Sequence, residues 1–228
     1  MNASERAPGG FWHRYAAWSL DFGAISAIAW LFTRAEVHAG LEAATVAWGQ
    51  LFGRASQAMS DALLSGSDIH SLSHALMRDP VLQAAANAVQ DGLVQATLPF
   101  AIACAGIALL WHGLGEASSW QGSPGKRAFG LVATDVDGRR LGFARAFARQ
   151  AAGLASWVTL NLGHLLAALP PQHRALHDVI AGTRVLRADD APRMPPAAKL
   201  WLWLQVLAGI AALAWGVARY LALLAAIG

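Results

Sequence analysis

Four stretches of roughly membrane-spanning length carry almost no formal charge, and this constrains the 228-residue chain more than any other feature. Residues 15–33 contain one ionisable group, Asp21; residues 93–114 and 151–169 contain no Asp, Glu, Lys or Arg; residues 200–227 contain only Arg219. Hydrocarbon offers no hydrogen bonds, so a chain that crosses it satisfies its own backbone, and runs of this length do so as helices. Charged residues make up 14% of the sequence against about 25% in a soluble domain. The expected fold is therefore an all-α integral membrane protein with three to four transmembrane helices. Amphipathic helices and a small cytoplasmic β-hairpin accompany them.

The segments between the apolar runs have distinct characters. Residues 1–14 form an N-terminal tail, and the run after it reads as a retained first span (15–33) with aromatic residues toward its ends. Residues 35–92 are an amphipathic helical insertion: Leu41, Trp48, Leu51, Phe52, Met59 and Leu63 recur at helical spacing, and Ser65-Gly66-Ser67 closes the pattern. A short helix is expected over residues 68–77. Asp79-Pro80 has the form of an N-cap followed by proline at the first helical position, opening a helix that runs into the second span (93–114). The loop 115–150 holds a strand candidate at 131–134, and Asp137-Gly138 signals a hairpin turn returning through Leu141 and Phe143. A third segment covers 151–169, a basic polar loop 170–199 with a strand candidate at 182–186, and a fourth span 200–227.

Charge conflicts with simple threading. Residues 34–91 carry three basic and six acidic side chains and suit the non-cytoplasmic side. The 115–150 loop has six basic against three acidic and suits the cytoplasm; four full spans would then send the 170–199 loop, with five basic against three acidic, outside. The conflict disappears if segment three is re-entrant, which would also let 131–134 and 183–186 pair as strands. Four full spans with a charge violation is the other threading. A net charge of +3, dispersed along the chain, does not point to nucleic acid. The single cysteine, Cys104, excludes an intrachain disulfide and reads as a small packing residue.

Asp21 is the sharpest chemical signal, because a carboxylate at membrane depth costs at least a few kcal/mol unless partnered, protonated or hydrated. Arg14 lies two helical turns before it, about 10 Å along the axis and on nearly the same face. Asp21 is then either a proton or cation carrier or a structural anchor. Residues 122–127, ending in Lys126 and Arg127, lack phosphate-loop spacing and read as a turn setting those cations against lipid headgroups. Arg145 and Arg149, spaced i,i+4 beside Phe143 and Phe147, suggest an amphipathic helix at an anionic surface. His70 with His74 and His173 with His177 have i,i+4 spacing, yet neither pair sits in HExxH and no metal is expected. His164 is either a packing residue or a proton relay. No nucleophile, base and orienter can be assembled, so neither enzymatic activity nor a cofactor is expected.

Three pieces of sequence resemble the RDD family of bacterial membrane proteins. Gly10-Phe11-Trp12-His13-Arg14-Tyr15 leading to Asp21 is similar to the family's arginine at the start of the first helix with an aspartate inside it. Ser123-Pro124-Gly125-Lys126-Arg127-Ala128-Phe129-Gly130 resembles the second signature, continued by Asp135, Asp137-Gly138 and Phe143-Ala144-Arg145-Ala146. His177-Asp178-Val179-Ile180-Ala181-Gly182-Thr183 resembles the closing one. The resemblance covers residues 10–185 and implies a multi-spanning protein of the bacterial inner membrane, in a family for which transport has been proposed. It puts the family's arginine on Arg14, its first aspartate on Asp21 and its second on Asp178, with Asp135 as rival. The long insertion and the fourth span depart from it.

Two functions follow as expectations: a proton- or cation-coupled transporter, or a non-enzymatic membrane scaffold, assembly or regulatory subunit. The expected partners are the lipid bilayer, with anionic headgroups at the basic loops, and a second copy or another membrane protein. The two functions separate on burial, since a carrier needs Asp21 in a wet cavity and a scaffold needs it locked to Arg14 or a neighbouring helix.

Overall fold

The computed structural model describes residues 6–158, 162–169, 173–188 and 194–225. Among the described residues three helices are long and apolar enough to cross a membrane: Phe11–Ser65, Pro80–Ala117 and Pro196–Ala222. In chain order the elements are α1 (Phe11–Ser65), α2 (Ile69–Arg78), α3 (Pro80–Ala117), α4 (Pro124–Ala128), β1 (Leu131–Asp135), α5 (Phe143–Val158), α6 (Leu162–Leu165), α7 (Leu176–Ile180), β2 (Thr183–Arg187) and α8 (Pro196–Ala225). A 3₁₀ turn, Leu166–Ala168, follows α6. The protein is all-α with one small two-stranded antiparallel element.

The backbone does not break between residues 15–33 and the insertion beginning at residue 35. One helix of 55 residues carries both, with Arg34 and Glu36 exposed on its surface. Nothing in 34–41 stops a helix: Gly40 is its only weak former, and close packing holds it in place. The remaining signals sit as expected. Asp68 caps α2 by accepting from the His70 and Ser71 amides, Asp79 caps α3 through Val81 and Leu82, and α3 continues through Pro99.

Leu131 pairs with Arg187 and Asp135 with Thr183, the strand pairing that the re-entrant threading expects. Among the described residues three helices have membrane-spanning length, and segment three supplies none of them. Asn161 and Pro170-Pro171, on which the reading of that segment leaned, lie outside the described residues, as does most of the linker at 189–193. The Asp137-Gly138 turn forms, but its return makes a single bridge, Thr134 to Arg140, before α5 begins; the strand that pairs with β1 along its length is β2. The tail joins the same element, with Gly9 donating to Val185 and Arg187 to Ala7.

Two compact units make up the chain: Met1–Ala24 with Ala108–Gly228, and Ile25–Ile107. In the second, α1 and α3 run antiparallel in backbone contact. A Cβ on Gly40 would stand 2.4 Å from the Ala96 nitrogen, and one on Gly92 2.6 Å from the Ala44 nitrogen. Gly40-x-x-x-Ala44 thus faces Gly92-x-x-x-Ala96, small residues letting two helices meet where apolar burial gives no drive. Arg54 and Asp79 add an ion pair at 2.8 Å. In the first unit, Ala16 and Ala17 of α1, Phe129, Leu131, Val185 and Ala198 of α8 form a core with Leu20, Met194, Trp201 and Leu202 against it. Trp201 and Gln205 donate to the Ser19 hydroxyl at 3.0 and 3.1 Å, fixing the start of α8 on α1.

Candidate functional site

Arg14, Asp21 and Asp178 all fall in the first unit, at two buried stations. Asp21 occupies the first. Its Oδ1 accepts from the Trp111 indole at 2.9 Å and from the Gly125 amide at 2.7 Å, and its Oδ2 accepts from the Ser123 hydroxyl. The carboxylate is 1% exposed. His112 Nδ1, buried and without a hydrogen-bond partner, lies 3.9 Å from Oδ2.

The Ser123-Pro124-Gly125 sequence explains this arrangement. Pro124 opens α4, and the Ser123 hydroxyl is turned away from its own helix. Asp21 supplies the cap in its place, from α1, satisfying an amide that the first turn leaves free. Gly125 is required by the approach: a Cβ there would lie 2.3 Å from the Ala17 carbonyl oxygen and 2.8 Å from the Asp21 carboxylate.

The second station is an ion network. Arg14 donates through NH2 to Asp178 Oδ2 and through NH1 to the His173 carbonyl. Arg149 donates through Nε to Asp178 Oδ1 at 3.0 Å, with its NH2 nitrogen 2.8 Å from the same oxygen, and through NH1 to Glu116 Oε1. Glu116 also receives Lys126 Nζ and the Gln150 amide, each at 2.9 Å. Asp178 and Glu116 are fully buried, and Asp178 additionally caps α7 through the Ala175 amide. Burial alone would raise the Asp178 pKa, yet the Arg149 and Arg14 guanidiniums outweigh it and hold the carboxyl well below its ordinary range. Burial likewise works against the Arg149 charge, and Glu116 and Asp178 overcome it. His177 accepts from Arg149 NH2 at Nε2; burial and then the Arg149 charge push its pKa well below the usual 6.5. The His164 and His177 rings lie 5.2 Å apart.

Arg14 and Asp21 thus do not pair with each other; each reaches a different neighbour. Of the two carboxylates left open by sequence, Asp178 is the one that Arg14 reaches. Asp135 shapes its own turn, accepting from the Asp137 and Arg139 amides, with Arg145 at 3.5 Å. Two cations expected at lipid headgroups are elsewhere: Lys126 is paired with Glu116, and Arg149 is buried in the network, because each meets a carboxylate that spacing along one helix does not reveal. Arg127 is exposed. The His173–His177 pair loses its shared face because His173 precedes α7 at φ 49°. His70 and His74 do share a face of α2, with rings 5.8 Å apart. Among the described residues no group of three or more His, Cys, Asp or Glu converges as metal ligands would.

A family model described as the RDD family matches residues 8–182, which takes in both stations. The chain belongs to the RDD family. It is also 32% identical over 91 residues to an uncharacterised protein, YxaI, of Bacillus subtilis (strain 168); the match covers 40% of this chain and 60% of that protein. No solved structure matches. Membership of the RDD family and the three apolar helices make this a multi-pass membrane protein.

Sequence reasoning missed Trp111, His112, Glu116, Ser123 and Gly125 as site residues. Glu116 carried a usable signal: it is the first acidic residue after an uncharged span, close to two cations ten residues on. Gly125 between Pro124 and Lys126 carried a weaker one.

Proposed function

We propose that this RDD-family protein is a non-enzymatic scaffold of the bacterial inner membrane, in which Arg14, Asp21 and Asp178 act as a clasp. Asp21 ties α4 to the membrane helices, and Arg14 and Arg149 tie α7 and α5 to them. The observation that carries this reading is the state of Asp21: both oxygens are engaged by three neutral donors from two other parts of the chain, at 1% exposure. A transported ion or proton would have to displace donors that also hold α4 in place. The clasp leaves Arg127, Arg139, Arg140 and Arg145 exposed, cations suited to anionic headgroups and, by the positive-inside tendency, to the cytoplasm.

One observation favours proton- or cation-coupled transport: the unpartnered Nδ1 of His112 near Asp21, where a proton would create an ion pair. Liposomes containing the purified chain separate the readings. The scaffold predicts no proton or cation flux for the wild type under any imposed gradient. Flux that is lost in a folded Asp21→Asn variant would overturn it in favour of a carrier.

A further inference from the structure

The helical insertion carries a second apolar face that its own unit does not cover. On α1, Gly40, Ala44, Ala47 and Leu51 turn toward α3. About a quarter-turn away, Leu41, Trp48, Phe52, Met59 and Leu63 recur at intervals of seven and four, which keeps them on one helix face. They are 47%, 61%, 68%, 55% and 79% exposed.

Charge placement puts this face beyond the hydrocarbon. Gly40 and Ala44 pack on Gly92 and Ala96, at the edge of the uncharged run of α3, so the two helices leave the hydrocarbon at that level. From Gly40 to Ser65 the helix rises about 37 Å further. This part of α3 carries Gln83, Asn87, Gln90 and Asp91 among its apolar residues, and Asp79 caps its start; the uncharged run begins only after Asp91.

We propose that this face binds the same face of a second copy. Insertion fixes the orientation of each copy in the bilayer, so a two-fold axis runs along the membrane normal and the paired α1 helices are parallel and in register. Like residues then meet, Trp48 with Trp48 and Phe52 with Phe52, as in a parallel seam. Glu42, Arg54 and Asp61 lie off the stripe, so pairing brings no like charges together. Its exposed area is about 500–600 Å² per copy, on the order of 1,000 Å² for the pair, which meets the lower limit for a biological interface and suits a weak dimer favoured by the shared bilayer. This pairing is independent of what the polar clasp does.

Full-length chain in native membranes, with Cys104→Ser as background, tests it by oxidative cross-linking of single cysteines. Phe52→Cys and Met59→Cys should yield a species of twice the 24.0 kDa chain mass, and Gln57→Cys, on the opposite side of α1, should stay at single mass. In detergent, a Phe52→Glu variant with unchanged helicity should shift from two chains per particle to one. Equal cross-linking at all three positions, an adduct with a different protein at Phe52→Cys, or a wild-type particle of one chain would each overturn the proposal.

Discussion

Asp21 on the first helix caps the backbone of Gly125: the Gly125 amide donates to Oδ1 at 2.7 Å, and the position has no room for a side chain. A carboxylate inside an apolar run and a Ser-Pro-Gly turn a hundred residues later are therefore two halves of one contact.

Gly125→Ala forces a methyl against the Ala17 carbonyl oxygen, which is backbone and cannot rotate away. The expected cost is about 1–3 kcal/mol, as for overpacking in a tight core. Thermal unfolding in detergent checks it; an unchanged midpoint would show that α4 stands further from α1 than described.

Asp21→Asn and Asp21→Ala should differ. The amide keeps an acceptor for Trp111 and Gly125, and its NH2 can donate to the Ser123 hydroxyl, so the loss should be small. Alanine strands the buried Ser123 and Gly125 donors at about 1–3 kcal/mol each before relaxation, and the half-buried Trp111 indole beside them. The two midpoints, measured side by side, rank Asn well above Ala.

Arg149→Met leaves Glu116 and Asp178 buried beside fewer cations. Breaking a buried ion network in this way costs about 3–5 kcal/mol. Arg149→Lys should fall short of rescue, because one ammonium cannot span both carboxylates as the guanidinium fork does. Chemical denaturation of the three proteins gives the order wild type, Lys, Met.

Stability should fall on mild acidification, and His177 gives the sign. Its folded pKa lies well below 6.5, so below pH 6.5 the unfolded chain takes up a proton that the folded chain refuses. The His177 contribution is full above pH 6.5 and declines as pH drops toward the lowered folded value. Unfolding midpoints across pH 7.5 to 5 should show this decline in wild type and a flatter profile in His177→Gln.

Much of the fold was legible because its signals are local. The length of nearly uncharged runs marks 93–114 and the fourth span, of which residues up to 225 are described, and Asp68 and Asp79 announce helix starts through their own next turns. The continuity of α1 past Arg34 was not legible, since charges mark a membrane boundary but do not stop a helix. The site was legible only in half. Arg14, Asp21 and Asp178 stand out by residue type in apolar or motif surroundings, whereas the roles of Glu116 and Arg149 depend on a contact 33 residues apart. From spacing alone Arg149 belongs to a basic amphipathic stripe; only the fold turns it inward.

Because β1 and β2 exchange backbone hydrogen bonds and Arg149 and Asp178 meet, residues 115–150 and 173–188 are expected to share one side of the membrane. Single cysteines at exposed Arg139 and Val179, in a Cys104→Ser background, test this by labelling intact cells and inverted vesicles with an impermeant reagent. Both positions should react in the same preparation and be protected in the other. Reaction from opposite sides would separate the two strands and dissolve the clasp.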